Sequence, residues 1–151
     1  YDKKKGTQSC IYEATREGVT PKIDTLQGID INSNQWWSKQ ILNNIPIILN
    51  NLDEMPPDSE NDKQVLARQN IASLMVFPLI SAKGILGYMG IDIVDKPRLW
   101  STIDREWFSA ISNIINICIE LRSSEKKAQI EREYFKSLQQ LQIPRREPGF
   151  L

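Results

Sequence analysis

From Ser101 to Gln142 the chain contains neither proline nor glycine. No other stretch constrains the fold as strongly, because those two residues are the ones that most reliably break a helix. The run opens with Ser101-Thr102-Ile103-Asp104, where a hydroxyl and a carboxylate three residues apart can cap each other's backbone amides. After Leu121 it is rich in Glu, Lys, Gln, Arg and Leu, all good helix formers. The pattern predicts a helix of nearly forty residues, roughly 57–60 Å long at 1.5 Å per residue. That exceeds what a domain of this size can cover, so the far half is expected to project.

Within the run, Trp107, Ile111, Ile114, Cys118, Leu121, Glu125, Ala128, Arg132 and Phe135 follow one another by alternating fours and threes, the seam spacing of a coiled coil. Phe108, Ile115, Ile117 and Ile119 add apolar positions, so the first half can pack on its own sheet and on a neighbour at once. A homodimer is expected, with Trp107, Ile111, Ile114, Cys118 and Leu121 in the interface. Glu125 and Arg132 weaken the seam beyond, which suits a relay that shifts or rotates at low cost. After Pro144 the composition changes abruptly, and residues 144–151 read as a linker or non-native remnant.

Upstream, smaller elements alternate. Gly6 suits a turn, and Thr7 to Ala14 reads as a strand through Thr7, Cys10, Ile11 and Tyr12. Gly18 to Asp30 reads as a loop. Asn32 or Ser33 can cap a short helix reaching Asn43, with Trp37 and Ile41 on one face. Pro46 to Leu49 is a short apolar strand. Ser59-Glu60-Asn61-Asp62 resembles a second capping box, opening a helix to about Gln69. Ser73 to Ile80, interrupted by Pro78, turns at Ser81-Ala82-Lys83-Gly84 into a returning strand, Ile85 to Val94. Mixed elements around an antiparallel pair give an α+β class: one sheet with helices packed on it.

Composition excludes more than it identifies. The 151 residues carry 19 basic and 19 acidic side chains, so nothing steers the chain to nucleic acid or to direct contact with an anionic membrane. No apolar run is long enough for a membrane-spanning helix. There is no histidine, which removes the commonest general base and metal ligand and any Ser-His-Asp or Cys-His site. Cys10 and Cys118 form no motif, which favours a reducing, cytoplasmic setting. Asp92, Asp95 and Asp104 lack metal-ligand spacing. Gly84, Gly87 and Gly90 lack the lysine and following helix of a phosphate loop; glycine there gives room to a ligand or an adjacent helix. No catalytic or metal residue is expected, and no cofactor is specified.

The blocks Trp36-Trp37, Pro46-Ile47-Ile48 with Asp53 and Pro56, Ile71 to Leu79, Gly84 to Asp92, and Pro97 to Asp104, in this order and spacing, resemble the GAF domain family. The versions in bacterial histidine kinases and diguanylate cyclases are the most similar. The resemblance spans residues 1–122 and implies a GAF/PAS-like fold, a central antiparallel sheet with flanking helices, lacking the family's first helix and most of its first strand. Residues 123–143 would form a coiled-coil signalling helix. It also implies a sensory, non-catalytic domain, with a kinase or cyclase output domain on the same polypeptide, that binds a small molecule on one sheet face and relays the signal through the last helix. The alternative is a ligand-free dimerising spacer. GAF-type methionine sulfoxide reductases cluster several cysteines, unlike this chain, and bilin-binding members use a cysteine, usually beside a histidine.

The ligand-binding candidates are Trp36, Trp37, Ser73, Met75, Phe77, Met89 and Ile91, with Tyr88 beside them. Strand alternation puts Ser73, Met75 and Phe77 on one side and Leu74 and Val76 on the other. A pocket is expected between the first set and the helices at 36–43 and 59–69, with Ser73 as its orienting polar group. Family members that bind cyclic nucleotides carry a lysine and an aspartate that brace the strand-to-helix loop; Lys96 and Asp104 match those positions and are read as structural.

Overall fold

Short apolar runs separated by polar turns divide the first hundred residues into small elements. The structure, a computed structural model, describes residues 1–141, with side chains as far as residue 139. It falls into two units, Tyr1–Asn116 and the stretch from Ile117 on.

In the first unit a turn at Gly6, whose φ of 65° suits glycine, leads into β1 (Thr7–Gln8), which pairs antiparallel with β2 (Ile29–Asp30). The expected strand to Ala14 is therefore cut to two residues. β-propensity cannot hold a strand without a partner, and Ile11 and Tyr12 stand in solvent at 93% and 81% exposure. Residues 9–28 are instead tied by single bonds, such as Cys10 N–H to Leu26 O (2.8 Å) and the Glu13 carboxylate accepting from Lys22 N and Ile23 N.

Helix α1 (Gln35–Leu42) follows, then β3 (Ile47–Leu49), two single 3-10 turns, α2 (Glu60–Arg68), β4 (Ile71–Ser81) and β5 (Gly84–Val94). Neither expected cap forms at α1 or α2. Asn34, not Asn32 or Ser33, holds the cap position of α1, and its side chain makes no capping bond. Ser59 donates to Pro56 O (2.6 Å), and Asp62 turns away from its own helix. Buried at 4% exposure, it accepts the Trp37 backbone N–H at 3.0 Å, satisfying an orphan donor in the first turn of α1. One helix caps the other, an arrangement no local pattern encodes.

The strands form a three-stranded antiparallel sheet in the order β3-β4-β5. Pro78 does not interrupt β4, because β3 pairs only with Leu74–Val76 and no strand lies along that edge at Pro78, where a missing N–H is tolerated. β5 is an outer strand; beyond β4 its backbone meets the Tyr1 amine, which donates to Leu86 O at 2.6 Å. Gly90 makes room for neither ligand nor helix: a Cβ there would lie 3.0 Å from Val76 Cγ2 on the adjacent strand.

The two sheet faces have different covers. Ile47, Leu49, Leu74 and Val76 pack with Trp37 and Ile41 of α1 and Leu66 of α2 into the main core. Each such side chain, when fully buried, stabilises by roughly 1.5–3 kcal/mol. The opposite face meets α3 (Thr102–Leu141). Phe108 stacks edge-on against Phe77 at 5.6 Å, the Ser112 hydroxyl donates to Pro78 O at 3.4 Å, and Asn116 Oδ1 accepts from Ile80 N at 2.8 Å. The expected pocket between the Ser73–Met75–Phe77 face and the two short helices is thereby overturned. Those helices lie on the Leu74–Val76 side, where β3 contributes Ile47 and Leu49 to complete an apolar surface.

The long helix forms where expected, and its start is the capping box read at Ser101: Asp104 N–H donates to Ser101 Oγ (3.1 Å) and Ser101 N–H to Asp104 Oδ2 (2.9 Å). In the second unit the helix exposes Ile117, Leu121, Ile130, Tyr134 and Phe135. Its expected end near Gln142, and residues 144–151, lie outside the described residues. Among the described residues no helix is long and apolar enough to cross a membrane.

Candidate functional site

Two places combine buried aromatic surface with polar groups, one on each sheet face. On the α1 side, Trp37 meets the Tyr88 ring of β5 edge-on at 5.5 Å, and Tyr1 meets the same ring at 6.1 Å. Asp2 and Thr7 bridge antiparallel, which sets Tyr1 beside Gln8 across the hairpin. Trp37 and Gln8 are each 8% exposed. Among the described residues the Tyr1 hydroxyl and the Gln8 Oε1 are buried without a hydrogen-bond partner, and the Trp37 Nε1–H meets the Tyr88 hydroxyl only outside normal hydrogen-bond geometry. A buried polar group left so costs about 1–3 kcal/mol. Burial pushes the Tyr88 hydroxyl up to about 12, with the nearby Trp37 indole acting in the opposite sense. It raises Tyr1 further, Tyr88 adding to the effect. Both phenols are neutral at physiological pH, able to donate or accept a bond. Trp36 lies half-buried against the same core.

On the α3 side, a hollow of about 190 Å³ opens between the sheet and the helix. Met75 and Ile91, ladder partners on adjacent strands, meet Trp107, Phe108 and Ile111 there. Arg98, Trp100 and Asp104 close one end. The Arg98 Nη2 donates to Asp104 Oδ1 at 2.8 Å, and the guanidinium lies 4.9 Å from the Trp100 ring centre. Trp100 is locked in turn, its N–H to Asn50 Oδ1 (2.9 Å) and its Nε1 to Leu49 O (3.0 Å). Asp104 is held below the usual carboxylate range, first by the Ser101 backbone N–H and then by the Ser101 hydroxyl, with Arg98 adding to both. Arg98, not Lys96, therefore braces the loop to the helix. Lys96 follows Asp95, whose φ is 76°, and forms no ion pair among the described residues, whereas Arg98 sits on the rim facing Asp104.

The ligand-binding candidates are thus divided between faces. Trp36 and Trp37 lie on the α1 side, Met75 and Ile91 in the hollow. Phe77 is spent on Phe108, and Met89 pairs with Phe77 across the ladder. Ser73 is fully buried, its hydroxyl accepting the Arg98 backbone N–H at 2.7 Å, so it anchors a loop rather than presenting a polar group to a pocket. Of the residues at the two sites, Tyr1, Gln8 and Arg98 carried no sequence signal beyond Arg98 preceding Asp104 by six positions. Trp107, Ile111, Ile114 and Leu121 are exposed at 69%, 42%, 60% and 59%, and Cys118 is an exposed free thiol.

Nothing at either site provides a nucleophile with a base. Among the described residues no three of Cys, Asp and Glu group as metal ligands. Asp92, on β5, is exposed as a residue, yet its carboxyl is hemmed in by protein. Desolvation, with Glu13 adding, raises it to about 6.

No protein-family model matches the chain, and no curated protein matches it in sequence. Solved structures do. The blue-light absorbing form of the PixJ GAF domain of Thermosynechococcus elongatus superposes with a TM-score of 0.67 at 14% identity, over 83% of this chain and 74% of that one. The photoproduct state of GAF3 from Slr1393 of Synechocystis gives 0.64 at 15% identity, over 79% and 77%. A far-red absorbing dark-state structure with bound biliverdin gives 0.61 at 14% identity, over 78% and 75%.

Proposed function

We propose, from the premise that this chain has the fold of GAF domains, that it is a non-catalytic sensory domain of a bacterial signal-transduction protein. It takes a small polar molecule at the aromatic nest and passes a conformational bias along α3 to an output domain, a histidine kinase or a diguanylate cyclase, on the same cytoplasmic polypeptide. The observation that carries this reading is a pair of buried polar groups beside the Tyr88 ring, the Tyr1 hydroxyl without a partner and the Trp37 Nε1–H, which the Tyr88 hydroxyl engages only outside normal hydrogen-bond geometry. A molecule with one acceptor for the indole and one polar group for the Tyr1 hydroxyl would satisfy the pair. The sequence has no histidine, which removes the commonest general base.

Relay requires pairing. The exposed Trp107, Ile111 and Ile114 supply a surface of the kind that marks a protein interface, and their spacing continues through Cys118 and Leu121. One observation favours the spacer reading instead: Ile41, Leu74 and Val76 are at most 1% exposed, a core packed tightly beside the nest.

The test is native mass spectrometry of the protein as purified, with a thermal-shift screen of small polar metabolites. A hit whose shift disappears in Trp37→Phe, with the melting transition otherwise intact, supports the sensory reading. Ligand-free protein and no hit leave the spacer. Sedimentation checks pairing separately: the unaltered chain should be a dimer at high micromolar concentration, and Ile114→Glu with Leu121→Glu a monomer.

A further inference from the structure

We propose that the hollow under the first turns of α3 is a second, independent binding site, for a small carboxylate carried on a single ring. It does not rest on the reading of the nest, which lies on the opposite sheet face, but it requires that pairing of α3 leave Trp107 and Ile111, which line the hollow, accessible.

The walls set the body of the ligand. Met75, at 2% exposure, is the floor, while Ile91, Trp107 and Ile111 keep 39%, 69% and 42% of their surface open. An apolar cavity of about 150 Å³ holds a benzene ring, so the open hollow of about 190 Å³ has room for one ring with a short polar substituent. Partly exposed aromatic and branched side chains around such a volume gain by being covered.

The closed end sets the polar substituent. A guanidinium carries five N–H donors. Arg98 uses one, to Asp104, and among the described residues its side chain makes no other hydrogen bond. Its guanidinium carbon lies over the Trp100 ring, its Nη2 is held by Asp104 and its backbone by Ser73, so less entropy is lost when a further bond forms. Its side chain is 48% exposed, leaving an edge open to a second carboxylate in the two-pronged geometry that arginine favours. Asp104 cannot swing in to fill that edge, because Ser101 N–H and Ser101 Oγ hold its other oxygen at 2.9 Å each. Arg98 would then bridge two carboxylates, one fixed in the first turn of α3 and one on the ligand. Occupancy would tighten the joint between the loop and the signalling helix.

The experiment is a titration of the whole chain, observed by NMR, with benzoate, benzamide and inorganic phosphate. Benzoate should give saturable shifts confined to the Arg98 side chain, Ile91, Ile111 and the Trp107 indole. Benzamide, of the same shape without the charge, should bind roughly fivefold more weakly, the difference between a charge-assisted and a neutral bond. Arg98→Gln should lose about tenfold or more. Ile91→Trp, which fills the hollow from an open position, should abolish binding even if Arg98→Gln fails to fold. The proposal is overturned if benzamide equals benzoate, if phosphate binds as well, or if no saturable shift appears. It also falls if benzoate binds only the Ile114→Glu, Leu121→Glu variant, since a second copy of the chain would then own the hollow.

Discussion

Replacing Asp62 with alanine tests the contact on which the position of α1, and with it Trp37, depends. Asp62 is 4% exposed and accepts the Trp37 backbone N–H at 3.0 Å. Its removal leaves that N–H buried in the first turn of α1. Loss of a capping side chain costs about 0.5–2 kcal/mol, and a bond to a charged acceptor contributes about 1.5–3. Relief from burying a carboxylate offsets part of the loss, so about 2 kcal/mol is expected. At 2–4 °C per kcal/mol for a chain of this length, the melting temperature should fall by roughly 4–8 °C. In urea the midpoint should drop by about 1 M at unchanged slope. Asp62→Asn keeps an acceptor and should lose about half as much. Ser59→Ala separates this arrangement from a local capping box. Were Ser59 and Asp62 reciprocal caps, the two changes would be strongly non-additive; with Ser59 bonded to Pro56 O their effects should add. An Asp62→Ala protein within 0.5 kcal/mol of the parent, or strong coupling to Ser59, would refute the cross-helix cap.

Three further outcomes are expected. Ser101→Ala removes the hydroxyl that accepts Asp104 N–H and should cost about 1 kcal/mol by urea denaturation. Gly84→Ala forces a Cβ onto a φ of 97° and should cost about 1–2 kcal/mol, measured the same way. Asp92→Asn addresses pH. The Asp92 carboxyl is raised to about 6 in the fold, so the folded state holds its proton more tightly than the unfolded chain, and ionisation above that value opposes folding. The variant should therefore melt higher than the parent at pH 7.5, by an amount limited by solvent contact, and the difference should vanish by about pH 4, near the ordinary aspartate value. Equal melting at both pH values would contradict the raised carboxyl.

Much of the fold was legible because its strongest signals are local. A long run without breakers, a capping box at Ser101 and a Gly84 turn each act through neighbours in sequence, and each appears where expected. The faces of the sheet were not. Alternation separates Ser73, Met75 and Phe77 from Leu74 and Val76, but both sets are apolar, and nothing local says which one the short helices cover. That choice was made by Ile47 and Leu49, whose register on β4 joins them to Leu74 and Val76. The same limit explains Asp62, which reads as a cap for its own helix and serves another 25 residues away. It also explains Ser73, whose solitary hydroxyl meets a backbone 25 residues downstream. Trp37, Met75 and Ile91 stand out in the sequence by their chemistry, whereas Tyr1, Gln8 and Arg98 become visible only through the spatial pairing of distant segments.

The outer strand β5 has a colloidal consequence. Eleven residues long, it offers backbone donors and acceptors, apart from the Leu86 carbonyl taken by Tyr1, to any extended chain that comes alongside, and sheets guard such borders by covering or interrupting them. Here the guards are the Tyr1 amine, which occupies the Leu86 carbonyl, and the glycines of β5. A chain lacking Tyr1 leaves that carbonyl open and should cloud in concentrated solution through strand-to-strand growth sooner than the parent.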